Sequence, residues 1–565
     1  MTYKKSLLTF LLIISTILVN AQKVTLISQE QSKKIDSIFE AYNNKPGIAI
    51  AIVQDGKTIF KKGYGMANLS YDIPVTSKTI FDVGSNSKQF TAACIFLLEQ
   101  EGKLRFDDPI QKYLPEIPSY SSKPITIQHL IYDTSGLRPY LATLYAKNIY
   151  YGDSFDNEDV IKLIAKHKGL NFPVGTKHSW SHTNYALLAS IVEKASGKSL
   201  RAYAKEKIFN PLGMVNTYYR EDKDTIVKNT AIGYQSEDDK FKKFHYYNHT
   251  VVGNGGLHTN LEDFARWSNN LKTGTVGGTQ FIKRMVTPGT LANGKSIRYA
   301  GGVYSRNYYD IDGFPAVAAS GTWGGFQSLF YKFINQDLTV IILSNNANTN
   351  PWGQLDQIVP LFLEDEIAQA RQAMNNSTNV EIQKPLSLSK TENRKFSGMY
   401  YNTFNGELRQ IELDGNRLMY KRAGANPTPL VAISPNELIY ENAPQVKFTF
   451  NTNSYDSMVI TVNDGEPMPY QKYSKHSYKH SELKQFENNY FNEDMDEMFE
   501  LVAIENELGM LVKGKEIIRF KPVTIDLFTS KHSGYIVFER NRNNKITGFT
   551  RYDNILYNLK HTVVN

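Results

Sequence analysis

A serine and a lysine three residues apart stand where an extended apolar run gives way to a helix. Residues 79–83 (TIFDV) have the character of a strand, and apolar residues recur at helical spacing from position 90 to 98. A separation of three places Ser85 and Lys88 on one face at the helix start. A lysine desolvated in a cleft has a lowered pKa and can take the serine proton. The helix N-terminus adds an N–H and a positive field for a developing oxyanion.

Serine is also a favoured helix N-cap, so the pair has a simpler interpretation as well. The four-residue pattern recurs at Ser387 with Lys390 and at Ser481 with Lys484, which we interpret as chance. The longer run at 81–91 (FDVGSNSKQFT) distinguishes the first pair. It resembles the nucleophile segment of the penicillin-binding-protein-like serine hydrolases, which include class C β-lactamases, D-alanyl-D-alanine carboxypeptidases, D-aminopeptidases and family VIII carboxylesterases.

The composition is that of a globular chain of about three domains, with 565 residues, 41% hydrophobic and 21% charged. A net charge of +8 is mild over this length, and no arginine-rich block is present, so no nucleic-acid partner is expected. Cys94 is the only cysteine, which excludes an internal disulfide.

The first residues have the pattern of a secretory signal peptide, predicted at 1–21. Lys4 and Lys5 precede an apolar run from Leu7 to Val19, and small residues follow up to Ala21. The run is short for a transmembrane helix, although an uncleaved anchor is the alternative. We therefore expect a bacterial protein that is secreted or periplasmic, with no stable membrane anchor after cleavage.

Further segments extend the resemblance over the predicted hydrolase domain, 22–368. A strand pair is predicted at 47–67, with an Asp-Gly turn. Residues 102–115 and 125–137 match family segments, and we assign the second of these to scaffolding. The resemblance implies an α+β fold of the β-lactamase/transpeptidase type, in which helices flank an antiparallel sheet.

Residues 172–188 match the segment in which relatives carry the motif Tyr-x-Asn. Trp180 and His182 occupy those positions here. An indole N–H only donates, so Trp180 cannot take a proton. His182 could replace the tyrosine or could only hydrogen-bond in the cleft, and Tyr185 is another candidate. The deacylating base stays open between Lys88, His182 and Tyr185. His178 and His182 share a spacing that suits a metal, but no third ligand lies near, so no metal site is expected.

Residues 319–328 match the segment in which relatives carry the motif Lys-Thr-Gly or His-x-Gly on a strand. The triplet here is Ala319-Ser320-Gly321, so the cation that binds a substrate carboxylate is missing. This argues against substrates with a free C-terminal acid. The resemblance implies an oxyanion site from the N–H groups of Ser85 and Thr322, and substrate contacts from the residues Trp180, Ser320, Gly321 and Trp323.

After a predicted linker at 369–392 the chain repeats itself. Phe396 matches Phe486 and Tyr400 matches Tyr490, so the copies are 90 residues apart. Short strands with Gly and Asn turns predict two small antiparallel barrels, at 393–475 and 476–565.

The sequence therefore predicts a serine hydrolase that forms an acyl-enzyme on an amide or ester, such as a D-amino-acid peptide or an acyl ester. The expected partner is a small peptide or ester substrate, including cell-wall-derived ones, and no metal or organic cofactor is needed. Because two of the three family motifs are altered, the alternative is a weakened or inactive member that binds a peptide or cell-wall fragment.

Overall fold

The protein is described by a computed structural model. It covers residues 27–564 apart from 150–152, 239, 245, 247, 378–384, 405, 423–425, 463–464, 466, 531–533, 554–555 and 557. The predicted signal peptide lies outside the described residues.

The described residues of the first part of the chain form thirteen strands. They are β1 (Ile48–Gln54), β2 (Lys57–Tyr64), β3 (Met66–Asn68), β4 (Ile73–Pro74), β5 (Phe81–Asp82), β6 (Tyr218–Tyr219), β7 (Tyr234–Glu237), β8 (Lys240–Lys243), β9 (Leu257–Thr259), β10 (Tyr304–Asn307), β11 (Pro315–Trp323), β12 (Phe326–Phe333) and β13 (Leu338–Ser344). Its α-helices are α1 (Gln29–Phe39), α2 (Lys88–Gln100), α3 (Ile127–Ile131), α4 (Tyr140–Ala146), α5 (Asn157–Ala165), α6 (His182–Ser196), α7 (Leu200–Ala204), α8 (Asn210–Leu212), α9 (Leu261–Thr273), α10 (Thr279–Val286), α11 (Pro351–Ile358) and α12 (Pro360–Ser377).

A six-stranded antiparallel sheet in the order β10-β11-β12-β13-β1-β2 forms the centre of this part. Strand β1 pairs with β13, so that Ile48 lies opposite Ser344 and Gln54 opposite Leu338. The long-range pairing joins the two ends of the domain. The predicted α+β class is confirmed.

The central strand β1 alternates between two apolar layers because successive side chains of a strand point to opposite faces. Ala49 and Ala51 face the layer that contains helix α2, where small side chains let the helix approach closely. Ile48, Ile50 and Ile52 face the layer formed with α1, α11 and α12. The nucleophile helix is therefore held against one face of a sheet that is buried on both sides.

Two closed eight-stranded barrels follow, as the repeat predicts. The first contains β14 (Gly398–Asn402), β15 (Leu408–Asp414), β16 (Arg417–Arg422), β17 (Thr428–Ser434), β18 (Glu437–Tyr440), β19 (Ala443–Phe450), β20 (Ser457–Val462) and β21 (Met468–Tyr473). The second contains β22 (Asn488–Asn492), β23 (Glu497–Ile504), β24 (Glu507–Val512), β25 (Lys515–Thr524), β26 (Leu527–Thr529), β27 (Tyr535–Arg540), β28 (Ile546–Tyr552) and β29 (Leu559–Val563). Helices α13 (Lys390–Arg394) and α14 (His480–Leu483) precede the first and second barrel.

Equivalent residues of the two barrels make equivalent bonds. The hydroxyl of Tyr400 donates to the carbonyl of Phe396 at 2.8 Å, and Tyr490 does the same to Phe486 at 2.8 Å. Helix α12 runs to Ser377, so the predicted linker begins inside a helix. Among the described helices, none combines the length and apolarity that crossing a bilayer requires.

The second barrel packs against the helical part of the hydrolase domain. Ala142 and Ala146, both on α4, belong to the buried apolar cluster of that barrel. The buried guanidinium of Arg138 pairs with Asp494 at 3.0 Å, and Lys147 donates to the carbonyl of Met495. Helix α4 thus contacts the barrel with one side while its first residue, Tyr140, faces the cavity described next.

Candidate active site

Ser85 lies in a short 3₁₀ turn, Gly84–Ser87, between strand β5 and helix α2. The N–H of Gly84 donates to Asp82 at 2.8 Å, and the hydroxyl of Ser87 donates to the carbonyl of Gly84 at 2.6 Å. These bonds fix the turn. No side chain at this junction caps the helix, so the N-cap interpretation does not describe Ser85 in this structure. The serine instead lines an open cavity.

Lys88 is fully buried, and its Nζ lies 3.0 Å from the Ser85 Oγ and 3.0 Å from the carbonyl oxygen of Asn254. Burial lowers the pKa of Lys88 to about 7, because a low-dielectric site penalises the ammonium. A neutral amine accepts the hydroxyl proton of Ser85 across that distance. The predicted pair is thus brought together in a state suited to proton transfer.

Asp133 is a buried carboxyl that interacts electrostatically with Lys88 and that the sequence assigned to scaffolding. Its backbone has a φ of +52°, and its Oδ1 accepts a bond of 2.6 Å from the side chain of Asn184. Burial raises the pKa of this carboxyl, while the nearby Lys88 and Asn184 oppose the rise. Its negative charge favours the protonated form of Lys88, so it tunes the base. The residues alone held no signal for this role.

Strand β11 brings a backbone N–H to the serine. Trp323 pairs with Phe326 across a two-residue turn, so the next pair, Thr322 with Gln327, is not hydrogen-bonded in the antiparallel ladder. The N–H of Thr322 therefore points away from β12, toward the edge where the turn at Gly84 packs. A Cβ on Gly84 would stand 2.9 Å from that nitrogen. The geometry is compatible with an oxyanion site formed by the N–H groups of Ser85 and Thr322.

The triplet Ala319-Ser320-Gly321 stands where relatives carry a cationic side chain, and it acts through its backbone. A Cβ on Gly321 would lie 2.0 Å from the carbonyl oxygen of Val83 and 2.7 Å from the nitrogen of Ser85, so only glycine fits. Ala319 packs on the side of helix α2 and Ala318 on the opposite side. By that alternation the Ser320 side chain lies on the face away from the nucleophile helix. Of the predicted substrate contacts on this strand, Thr322 and Trp323 line the cavity.

Trp180 and His182 both lie near the base. The ring centroid of Trp180 is 4.3 Å from the Lys88 Nζ, and the ring stacks on Tyr304 at 6.1 Å. His182 lines the cavity at the first position of α6. Burial and the nearby Lys88 lower the pKa of His182 to about 3, so it is neutral at ordinary pH. A base with so low a pKa has little driving force to take a proton.

Tyr185 stands one turn further along α6, and its side chain is fully buried. Its hydroxyl donates to the carbonyl oxygen of Ile131 at 2.8 Å. Burial raises the pKa of Tyr185 well above its ordinary value. It is not among the described residues that line the cavity. Its position therefore suits support of the wall behind Lys88 more than proton transfer.

Polar groups that the sequence did not single out complete the cavity. Tyr140 and His249 share a hydrogen bond of 3.0 Å between the hydroxyl and Nε2, and the side chain of Asn254 donates to the Tyr140 hydroxyl at 3.4 Å. Arg220 and His258 also line the cavity. They come from segments far apart in the chain, which is why local patterns could not reveal them. Within the described ranges, no cluster of three or more His, Cys, Asp or Glu residues could hold a metal ion.

The sequence model of the Beta-lactamase family matches residues 35–359, which include every residue of this cavity. The chain belongs to the Beta-lactamase family. Members of this family are serine hydrolases, among them peptidases and esterases. The resemblance inferred from short segments is thereby confirmed, and the match extends over more than half of the chain.

Two curated bacterial relatives illustrate the kinds of protein that this chain is similar to. The chain is 28% identical over 347 residues to Penicillin-binding protein 4* of Bacillus subtilis (strain 168), covering 58% of this chain and 75% of the relative. It is 25% identical over 303 residues to a D-aminopeptidase of Gluconobacter oxydans (strain 621H), covering 54% of this chain. The match spans 56% of that D-aminopeptidase, which is little more than half of its length.

Solved structures show the same fold. The octameric penicillin-binding protein homologue from Pyrococcus abyssi superposes with a TM-score of 0.50 at 22% identity, covering 78% of this chain and 99% of the other. The D-amino acid amidase from Ochrobactrum anthropi SV3 superposes with a TM-score of 0.51 at 16% identity, covering 60% of this chain and 99% of the other. At these identities the likeness concerns architecture alone.

Proposed function

We propose that this protein is a serine hydrolase that cleaves an amide or ester through an acyl-enzyme on Ser85. The observation that supports it most directly is the 3.0 Å approach of Lys88 to Ser85 with the amine fully buried. Burial supplies the lowered basicity that lets a lysine work as a base near neutral pH. A surface lysine at the same spacing would remain charged and could only donate.

In the acylation step, Ser85 Oγ attacks the substrate carbonyl while neutral Lys88 takes the hydroxyl proton. The N–H groups of Ser85 and Thr322 donate to the oxyanion that forms on the carbonyl oxygen. The intermediate then collapses, the leaving group departs with the bonding electrons, and the acyl group stays on Ser85. The carbonyl of Asn254 accepts from the new ammonium of Lys88 and holds it in place.

In the deacylation step, water attacks the acyl group and Lys88 is the base for the water proton. This choice follows from the contacts of the two other candidates. His182 has a pKa lowered to about 3, which leaves it little driving force to take a proton, and the Tyr185 hydroxyl is engaged by the carbonyl of Ile131. We assign His182 to hydrogen bonding with the substrate in the cavity and Tyr185 to supporting the wall.

We place the substrate among small peptides with D-amino acids or acyl esters. The support comes from the curated relatives, which include a D-aminopeptidase. The cavity is lined by both polar and aromatic side chains, which suits a short polar substrate. We also propose that the protein is exported, because Lys4 and Lys5 precede an apolar run in its first residues. It would then meet its substrate outside the cytoplasm.

A second candidate function is binding of a peptide or cell-wall fragment without turnover. One observation favours it, namely the Trp180 ring that lies 4.3 Å from the Lys88 Nζ. A ring face stabilises an ammonium over a neutral amine, so it opposes the base form that catalysis requires. Binding and hydrolysis therefore differ in whether Lys88 loses its proton in the folded protein.

Labelling of the intact protein separates the two candidates. The full chain is exposed to a fluorophosphonate and, separately, to a penicillin, and the adduct is located by peptide mass spectrometry. A single adduct on Ser85 indicates an activated nucleophile, and the reagent that gives it separates esterase-like from penicillin-binding behaviour. Folded protein without any adduct would contradict the hydrolase proposal.

The matched variant is Ser85→Ala. It should lose labelling and turnover completely while the free energy of unfolding changes by about 1 kcal/mol or less, since only the bond to Lys88 is lost. Ser87→Ala is the comparison, because the Ser87 hydroxyl ties the turn but is not among the cavity-lining residues. Full activity in Ser85→Ala would refute the mechanism.

A further inference from the structure

Acyl transfer to Ser85 requires a proton donor for the leaving group. A leaving amine or alkoxide needs a proton when its bond to the carbonyl carbon breaks. Trp180 has no proton to exchange in that way, and His182 and Tyr185 are poorly suited for the reasons given above. The remaining described residues of the cavity include one phenol that is held by two polar neighbours, Tyr140.

The side chains of His249 and Asn254 both contact the Tyr140 hydroxyl. The Nε2 of His249 lies 3.0 Å away, and the side-chain amide of Asn254 donates at 3.4 Å. The backbone carbonyl of the same Asn254 accepts from Lys88 at 3.0 Å. One residue therefore touches the base with its backbone and the phenol with its side chain, which places both groups at the same side of the cavity.

The protonation of His249 follows from its other nitrogen. Nδ1 is buried and has no hydrogen-bond partner among the described residues. A proton on Nδ1 would leave a buried N–H donor unsatisfied, so the neutral ring carries its proton on Nε2 and donates to the Tyr140 oxygen. Burial lowers the pKa of His249 to about 4, which keeps the ring neutral. The phenol oxygen then accepts two hydrogen bonds, and both stabilise negative charge on it.

The ring of Tyr140 is fixed as firmly as its hydroxyl. It stacks on His249 at 5.9 Å and on Phe155 at 5.9 Å, and the edge of His182 meets it at 6.4 Å. Its backbone N–H donates to the Thr183 hydroxyl at 2.9 Å, next to His182. A group fixed in this way needs little reorganisation to transfer a proton.

We propose that Tyr140 is the proton donor to the leaving group, with His249 and Asn254 as positioning residues. The inference rests on the proposed function. As the bond between the carbonyl carbon and the leaving nitrogen or oxygen breaks, the electron pair goes to that atom and Tyr140 gives it a proton. The tyrosinate is stabilised by His249 and Asn254 and then receives the proton that Lys88 took from Ser85. Both groups thus return to their starting states before water attacks.

Leaving-group dependence tests the proposal in the full-length protein. Acylation of Tyr140→Phe is measured with p-nitrophenyl acetate, whose leaving group departs without a proton, and with D-alanine methyl ester and D-alaninamide, whose leaving groups need one. We expect a loss of about 100-fold or more for the last two and less than about fivefold for the first. Tyr400→Phe removes an equivalent buried hydroxyl in the first barrel and should match the wild type.

Other outcomes overturn the inference. An equal loss on all three substrates would assign Tyr140 a structural role, and no loss would remove it from the mechanism. Should Tyr140→Phe fail to fold, His249→Gln and His249→Phe give the same test. Gln retains an N–H donor, so it should keep more activity than Phe on D-alaninamide but not on p-nitrophenyl acetate, and equal values would refute the role. Failure of the proposed function differs, since wild-type Ser85 would then form no acyl-enzyme with any substrate.

Discussion

The ε-amino nitrogen of Lys88 lies 4.3 Å from the centre of the Trp180 ring, so the base of this site is covered by an aromatic face. The two residues are 92 positions apart, and the loop before helix α6 brings them together. Because a ring face favours the ammonium, Trp180 acts against the burial that lowers the pKa of Lys88. Catalysis requires neutral Lys88, and binding without turnover does not. A change of the Trp180 ring therefore separates the two proposed functions.

Replacing this ring should raise turnover. In Trp180→Tyr a weaker cation–π partner faces Lys88, and a hydroxyl becomes available for proton exchange. We expect kcat for an ester substrate to rise by about fivefold or more. Trp352→Tyr, on the other face of the sheet, is the control. No gain in turnover, together with unchanged ligand affinity, would favour a binding protein.

The carboxyl of Asp133 should set the pH at which the site becomes active. Acylation requires neutral Lys88, so its rate should rise with pH through the pKa of that lysine, about 7. Asp133 raises this pKa, and Asp133→Asn therefore should move the rising limb to lower pH by on the order of one unit. The measurement is the pH profile of burst acylation. A limb that moves to higher pH would contradict the interaction.

A methyl group on Gly321 should disable the oxyanion site. The Cβ would press on the Val83 carbonyl and the Ser85 nitrogen, displacing β11 and with it the N–H of Thr322. Losing one oxyanion donor costs about 100-fold to 1000-fold in kcat, and we expect Gly321→Ala to reach that range. The control is Gly169→Ala, where the nearest atom would be 3.9 Å away. Wild-type kcat in Gly321→Ala would rule out this placement of the oxyanion.

The ion pair between Arg138 and Asp494 should stabilise the contact between hydrolase domain and second barrel. Arg138 is only 3% exposed, so Asp494→Asn would leave a buried charge without its partner. A broken buried pair costs about 3 kcal/mol or more in free energy of unfolding. Asp496→Asn removes the exposed contact with Lys166 and should cost less than about 1 kcal/mol. Equal urea midpoints for the two variants would contradict the assignment.

Periodicity and short motifs were enough to predict the sheet, the nucleophile helix and both barrels. The junction at Ser85 and Lys88 is local, and the barrels repeat strongly enough for Tyr400 and Tyr490 to be matched without any structure.

The rest of the site depends on contacts between distant segments. Tyr140 and His249 are 109 positions apart, and neither belongs to a motif that would identify it. Asp133 lies in a segment whose pattern indicates a helix end, and its proximity to Lys88 appears only when α6 packs on α2. Burial decides the chemistry of these groups, and burial of a polar side chain cannot be read from its neighbours in the chain.

The packing of Ala142 and Ala146 into the second barrel affects when, during synthesis, the wall of the cavity is completed. Helix α4 presents Tyr140 to the cavity from one end, while Ala142 and Ala146 on the same helix pack against barrel residues more than 330 positions later, such as Tyr478. During synthesis the nucleophile helix and most of the sheet emerge long before that barrel does. We therefore expect the wall beside Ser85 to reach its final form only after the second barrel has folded against α4.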